Sequence, residues 1–268
     1  MRTLLKRHWR AYAAEAGGIA AFVFFAGLTA TLLESSRSPL HGLIASAFLR
    51  HLLLGVVLGL VSMGVIYSPW GKQSGAQVNP AVTCTLYRLG RISAANAVLY
   101  ILMQFAGAVA AIFLLESTLG AAFALPPVSH SMTKPGPHGT LAAFAAEFFI
   151  TFVLMSTVLI LGGIKRTEKY VGAAVGILIA LYVTFESPLS GMSLNPARSF
   201  ASALAAHQYT HLWIYFIAPP LAALLASELF LRLKAFGQAP LHPAYGEKLC
   251  VLLGEIQYGS PYPTQKSE

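Results

Sequence analysis

Two short stretches of this chain decide its fold: Ser74-Gly75-Ala76-Gln77-Val78-Asn79-Pro80-Ala81-Val82 and Ser190-Gly191-Met192-Ser193-Leu194-Asn195-Pro196-Ala197-Arg198. Each reads Ser-Gly, three variable residues, then Asn-Pro-Ala, and we call them the first and second box. Asn is a favoured cap for a helix N-terminus, and Pro fits the first helical position, where no backbone donor is needed. Each box therefore predicts a helix that begins at its Asn-Pro pair.

The apolar residues after each box predict only short helices, over about 81–86 and 197–204. At about 1.5 Å per residue, such a helix crosses only part of a hydrocarbon core that is about 30 Å thick. Two half-helices that enter from opposite faces would meet, N-terminus to N-terminus, near the midplane. Because each Asn oxygen is used in its cap, we expect the amide NH₂ to stay free and point between the two helices.

The rest of the chain has the composition of a protein that crosses the membrane several times. Of its 268 residues, 56% are hydrophobic and only 10% are charged, and the mean hydropathy is +0.65. Such values exclude an ordinary soluble domain. The apolar segments predict six spans, at about 12–33, 42–66, 94–115, 141–161, 171–185 and 212–231.

The two halves of the chain repeat each other beyond the boxes. Gly55 and Gly59 recur as Gly172 and Gly176, and each pair has the spacing that lets helices pack closely in lipid. Three spans and a half-helix in each half require that the second half be inverted in the membrane. We therefore expect an all-α membrane domain over 12–232, with repeats over about 12–119 and 141–232.

The charges orient this arrangement. The net charge is +8, and Lys and Arg lie in short segments between spans, as membrane topology requires, so the basic charge does not indicate nucleic acid. The basic segments are residues 1–11, the connections around the first box and at 165–169, and the end of the last span. We expect a multi-pass protein of the plasma (inner) membrane with both termini cytoplasmic, including a tail over 233–268.

The double box resembles the signature of the aquaporin, or major intrinsic protein, family, and the resemblance covers roughly residues 10–232. It implies a bundle of six transmembrane helices with two re-entrant half-helices. It also implies a homotetramer with one pore per subunit, which passively conducts water and small neutral solutes and excludes protons and ions. The residues expected at the pore centre are Asn79, Pro80, Ala81, Asn195, Pro196 and Ala197.

The same resemblance assigns roles to other residues. Arg198 matches the arginine of the family's outer selectivity filter, and a charge in this apolar setting is a functional hypothesis in its own right. Glu15 and Glu147, in the repeated Ala-Glu pairs, are expected to accept backbone N–H groups from the loops that lead into the boxes, since such loops need internal partners. Gln104 matches the family's polar residue on the third span.

The remaining filter positions depart from the family's usual patterns. They are Val183, Met192 and Leu58, although a shift of the last to Gly59 is open because the first loop is one residue longer than the second. Water channels resemble one another in having His where this chain has Val183, and glycerol facilitators have a Trp/Phe pair that is missing here. A facilitator for glycerol, hydrogen peroxide or neutral metalloid hydroxides is therefore the alternative to a water channel.

Other functional classes receive less support from the sequence. Inverted repeats with broken helices also occur in secondary transporters, which remain an alternative, but a proton relay beyond the two Glu is not evident. Enzyme motifs are missing, and we expect neither a cofactor nor a metal site. His207 and His211 have i, i+4 spacing but fit surface histidines, while Cys84 and Cys250 are too few for a disulfide framework.

Overall fold

The computed structural model describes residues 2–235, and the side chains of residues 6–233. All regular secondary structure in this range is helical. The α-helices are α1 (Arg2–Glu34), α2 (Pro39–Leu43), α3 (Ala47–Tyr67), α4 (Pro69–Ser74), α5 (Pro80–Arg88), α6 (Ala94–Leu119), α7 (Ala121–Ala124), α8 (Gly139–Gly163), α9 (Val171–Phe185), α10 (Ser187–Ser190), α11 (Pro196–Ala206) and α12 (Leu212–Ala235). Two short 3₁₀ turns cover Ser129–Ser131 and Glu168–Tyr170.

Six of these helices are long and apolar enough to cross a membrane, as predicted: α1, α3, α6, α8, α9 and α12. Some boundaries differ from the expectation. Helix α1 begins ten residues before the predicted span, and its N-terminal part is kinked at His8. Helix α3 begins five residues later than predicted, because Ser46 caps it by accepting the Leu49 N–H at 3.3 Å.

The helices pack in pairs that reproduce the internal repeat. Helix α1 packs along α6 and α3, and correspondingly α8 packs along α12 and α9. The half-helix α5 lies against α12 of the other repeat, while α11 lies against α6. The halves thus exchange their half-helices, and α3 and α9 form the contact at the centre.

That central contact depends on glycine. A Cβ atom added to Gly59 would lie 2.4 Å from the Gly176 carbonyl oxygen, and one added to Gly176 would lie 2.6 Å from the Gly59 carbonyl oxygen. Gly55 meets the Ala180 carbonyl in the same way, at 2.5 Å. The backbones of α3 and α9 are therefore in direct contact, which is the close packing that the repeated Gly spacing predicts.

Helix α12 continues to Ala235, four residues past the predicted end of the last span. Most of the predicted tail, 236–268, lies outside the described residues, and so does Cys250. Cys84 lies in α5, as expected, and is a free thiol.

Candidate functional site

Each half-helix begins at the Asn of its box. The Asn79 side-chain oxygen accepts the Ala81 N–H at 2.8 Å, and Pro80 occupies the first turn of α5. The Asn195 oxygen accepts the Ala197 N–H at 3.0 Å, at the start of α11. Both Asn residues are extended and both are followed by right-handed helix, which is the geometry that Asn-Pro favours. The first turns of α5 and α11 therefore carry the positive ends of two helix dipoles.

The two amide groups also tie the boxes together. The Asn79 Nδ2 donates to the Leu194 carbonyl at 2.8 Å, and the Asn195 Nδ2 donates to the Val78 carbonyl at 2.8 Å. We expected each NH₂ to stay free, and this is wrong for one of its two hydrogens, which is donated to a backbone carbonyl in the facing loop. An amide carries two N–H donors, so each Asn keeps a second one.

Within each box, the loop that precedes the Asn-Pro pair adopts the left-handed backbone conformation at three matching positions. These residues have φ between +41° and +88°, and they are Gly75, Ala76 and Val78 in the first loop and Gly191, Met192 and Leu194 in the second. A non-glycine residue in this conformation costs of order 1–3 kcal/mol and persists only where its surroundings enforce it. The loop of each repeat therefore needs strong hydrogen-bond partners that hold its backbone in this conformation.

Two buried carboxyl groups supply those partners. Glu15 on α1 accepts the Gln77 and Val78 N–H groups at 3.0 and 2.6 Å. Glu147 on α8 accepts the Ser193 and Leu194 N–H groups at 2.7 and 2.8 Å. Both side chains are fully buried. These are the hydrogen bonds to loop backbone that we expected of the two residues.

Side chains donate further hydrogen bonds to each carboxyl group, and Gln104 does so only in the first repeat. Gln104 on α6, also fully buried, donates to Glu15 at 2.7 Å and to the Thr83 hydroxyl at 3.0 Å. In the second repeat the hydroxyl of Ser190 donates to Glu147 at 2.7 Å, and its counterpart Ser74 also forms a hydrogen bond with Glu15. Gln104 thus joins α1, α6 and the half-helix α5 through one side chain.

A pair of tyrosines completes the support, and sequence reasoning missed it. The Tyr100 hydroxyl donates to the Ser74 carbonyl at 3.0 Å, and the Tyr215 hydroxyl donates to the Ser190 carbonyl. Both rings are fully buried. The signal was available, since the tyrosines follow Asn79 and its counterpart by 21 and 20 residues.

Three expected filter residues lie in one buried apolar cluster. Leu58 of α3, Val183 of α9 and Met192 of the second loop are each less than 5% exposed. Gly59, the alternative to Leu58, lies in the contact with Gly176. The structure therefore places Leu58, and not its neighbour, beside the other two.

Arg198 and Glu186 bring polar groups to the same region. The Arg198 side chain is partly exposed, and its Nη1 atom is buried without a hydrogen-bond partner among the side chains described. Glu186 follows the last residue of α9, and both of its carboxyl oxygens are likewise buried and unpartnered in that part of the chain. Sequence reasoning did not single out Glu186.

The connection 120–139 covers the second loop and breaks the symmetry of the repeats. The Thr133 hydroxyl lies 2.7 Å from the Ser199 hydroxyl, which contacts Ser193 in turn. The Gly136 N–H donates to the Leu189 carbonyl at 2.8 Å. The second loop is thus held from two sides, by the bundle and by this connection.

The family model and the known relatives that this chain matches point to the same protein family. The family model described as Major intrinsic protein matches residues 3–230. A rice protein named Aquaporin NIP1-4 is 36% identical over 200 residues, which are 74% of this chain and 67% of that protein. The sheep lens fiber major intrinsic protein is 32% identical over 261 residues, which are 92% of this chain and 88% of that protein.

Two further comparisons bear on length and on fold. The match to a tobacco protein named Probable aquaporin NIP-type spans only 63% of that relative, at 33% identity over 65% of this chain. The X-ray structure of the aquaglyceroporin from Plasmodium falciparum matches with a TM-score of 0.66 and 19% identity, over 92% of this chain and 98% of that chain. At this identity the structural likeness concerns the fold.

Proposed function

Because the chain belongs to the major intrinsic protein family, we propose that it is a passive channel for water and small uncharged solutes that excludes protons and ions. One observation carries the proposal. Two helix N-termini are joined through the side chains of Asn79 and Asn195, and each amide keeps one N–H that is not used between the boxes. A pore at this junction would present two hydrogen-bond donors to anything that passes.

The donors and the helix dipoles account for the exclusion of charge. A water molecule that accepts from both amides turns its own hydrogens away from them, so it cannot relay a proton through the centre. The positive ends of α5 and α11 oppose a cation at the same place. The Arg198 guanidinium adds a fixed positive charge, and its buried Nη1 can donate to the oxygen of a neutral solute.

The filter supports a second candidate, a facilitator for larger neutral solutes. Leu58, Val183 and Met192 offer three apolar walls, and Val183 stands where strict water channels resemble one another in having His. A Val side chain is shorter than His and gives up a polar partner, so the constriction should be wider and less selective for water. Glycerol, hydrogen peroxide and neutral metalloid hydroxides are the solutes that such a filter would admit.

Paired osmotic shocks on proteoliposomes test the two candidates. Stopped-flow light scattering follows a shock with an impermeant sugar and a shock with glycerol, for the wild type and Val183→His. Fast water flux without glycerol entry supports the water channel, whereas glycerol entry that Val183→His removes supports the facilitator and locates its filter. If neither flux exceeds that of empty liposomes, the channel proposal fails.

The family resemblance also supports an assembly and an orientation. We propose a homotetramer with one pore per subunit, in the plasma membrane, with both termini cytoplasmic. The basic loop of Lys165, Arg166 and Lys169 between α8 and α9 supports this orientation. Native mass spectrometry tests the subunit count. Labelling of a single cysteine placed in that loop, in intact and opened cells, tests the orientation.

A further inference from the structure

Glu186 is a buried carboxyl group that the supporting network of the second loop does not use. The residue is 8% exposed, and both side-chain oxygens are buried without a hydrogen-bond partner of good geometry among the side chains of residues 6–233. The Ser190 hydroxyl lies near Glu186, but it donates its hydrogen to Glu147. The N–H groups of Ser193 and Leu194 are already satisfied by Glu147, and that of Met192 by the Ser190 hydroxyl. A merely structural carboxyl group would be expected to take one of these donors, because burying it unpaired is unfavourable.

The position of Glu186 relates it to the filter. Its backbone is still right-handed, with φ −97° and ψ −29°, so it continues the helical register of α9. Residues three apart share a helix face, and Glu186 therefore lies about one turn beyond Val183 on the same face. Val183 belongs to the buried cluster that also holds Leu58 and Met192. Glu186 thus lies one helical turn from that cluster.

The chemistry of Glu186 complements that of Arg198. A guanidinium group donates hydrogen bonds and accepts none, and the other three filter side chains are apolar or, in Met192, a weak acceptor at most. A hydroxyl group that enters this constriction meets a side-chain donor but lacks a strong side-chain acceptor for its own hydrogen. A carboxyl oxygen accepts whether the group is ionised or protonated. The two groups form no ion pair within 4.0 Å among the described side chains, so neither uses up the hydrogen-bonding capacity of the other.

We propose that Glu186 is a specificity-determining residue of the filter, which accepts hydrogen bonds from small neutral polyhydroxyl solutes while Arg198 donates to them. The inference rests on the proposed channel function and names the class of solute that its filter favours. Water in single file keeps hydrogen bonds to its neighbours along the file, but a triol that fills the constriction needs lateral partners for several hydroxyl groups. Glu186 should therefore matter for the triol more than for water.

Glycerol and water permeabilities of proteoliposomes test the proposal. Glu186→Met keeps the length of the side chain and removes its hydrogen bonding. We expect it to lower glycerol permeability about fivefold, the factor for one ordinary hydrogen bond, and to leave water permeability within about twofold. Glu186→Gln retains an acceptor and is expected to keep at least about half of the glycerol permeability. Glu168→Gln, in the 3₁₀ turn that precedes α9, is the control and should change neither.

The possible outcomes are distinct. An unchanged ratio of glycerol to water permeability in Glu186→Met overturns the proposal, and so does an equal loss of both fluxes in Glu186→Met and Glu186→Gln, which would indicate a role in folding. Should Glu186→Met not yield a folded protein by size-exclusion chromatography, Glu186→Ala takes its place with the same expected ratio. A wild type that conducts neither water nor glycerol contradicts the channel function itself, and the inference falls with it.

Discussion

Replacing Glu15 by Gln should destabilise the protein far more than the same change made elsewhere on α1. The Glu15 carboxyl group accepts hydrogen bonds from the Gln77 and Val78 N–H groups and from the Gln104 amide, at 2.6–3.0 Å. An amide offers a single acceptor oxygen and turns an NH₂ group towards these donors. At least one buried donor is then unpaired, and the strained loop before Asn79 loses a partner.

The magnitude follows from these contacts. An unpaired buried donor costs about 1–3 kcal/mol, and Gln also turns an NH₂ group towards donors that need an acceptor, so the total should be about 3 kcal/mol. At about 2–4 °C per kcal/mol for a protein of 150–250 residues, the apparent Tm should fall by roughly 10 °C. Thermal unfolding in one detergent and at one heating rate measures this shift, because membrane proteins often unfold irreversibly.

Glu34, the last residue of α1, provides the control. It forms an ion pair with Arg50 at 3.1 Å, and its side chain is 21% exposed. Ion pairs in contact with solvent contribute about 0–1 kcal/mol, so Glu34→Gln should lower Tm by only a few degrees. If Glu15→Gln were no more destabilising than Glu34→Gln, the role of Glu15 in holding the first loop would be refuted.

Two further substitutions probe the bundle and the second loop. Gly59→Val should prevent close packing of α3 and α9, since its Cβ alone would lie 2.4 Å from the Gly176 carbonyl oxygen; we expect little folded protein in size-exclusion chromatography, and a normal yield would contradict the packing. Tyr215→Phe removes the hydrogen bond to the Ser190 carbonyl and should cost about 1 kcal/mol, seen as a Tm lower by a few degrees. A Tm equal to that of the wild type would show that this hydrogen bond does not support the loop.

Much of the fold could be predicted from the sequence because its signals are local or repeated. Six apolar segments of membrane length give the spans, and Asn-Pro gives the start of each half-helix through capping chemistry alone. The Gly pairs of α3 and α9 predict their contact, since close packing in lipid needs small residues. Boundaries were less predictable, because a cap such as Ser46 competes with an apolar run that continues past it.

The candidate site was only partly predictable. The carboxyl groups of Glu15 and Glu147 could be inferred, because non-helical backbone inside a membrane needs internal acceptors. The donation of Asn79 to the facing loop could not, since it depends on how two distant segments meet. The lack of a hydrogen-bond donor for Glu186 could not be predicted either. Only the full set of hydrogen bonds shows that the donors near it already have other acceptors.

The water flux of reconstituted protein, measured together with proton flux over a range of temperatures, distinguishes a passive water channel from a carrier or a proton leak. A passive channel should give water flux well above that of empty liposomes, with a shallow temperature dependence like that of bulk water and without saturation. Its proton leak should be no greater than that of empty liposomes. A steep temperature dependence, saturation, or proton flux that rises with water flux would contradict a passive channel whose centre is formed by Asn79 and Asn195.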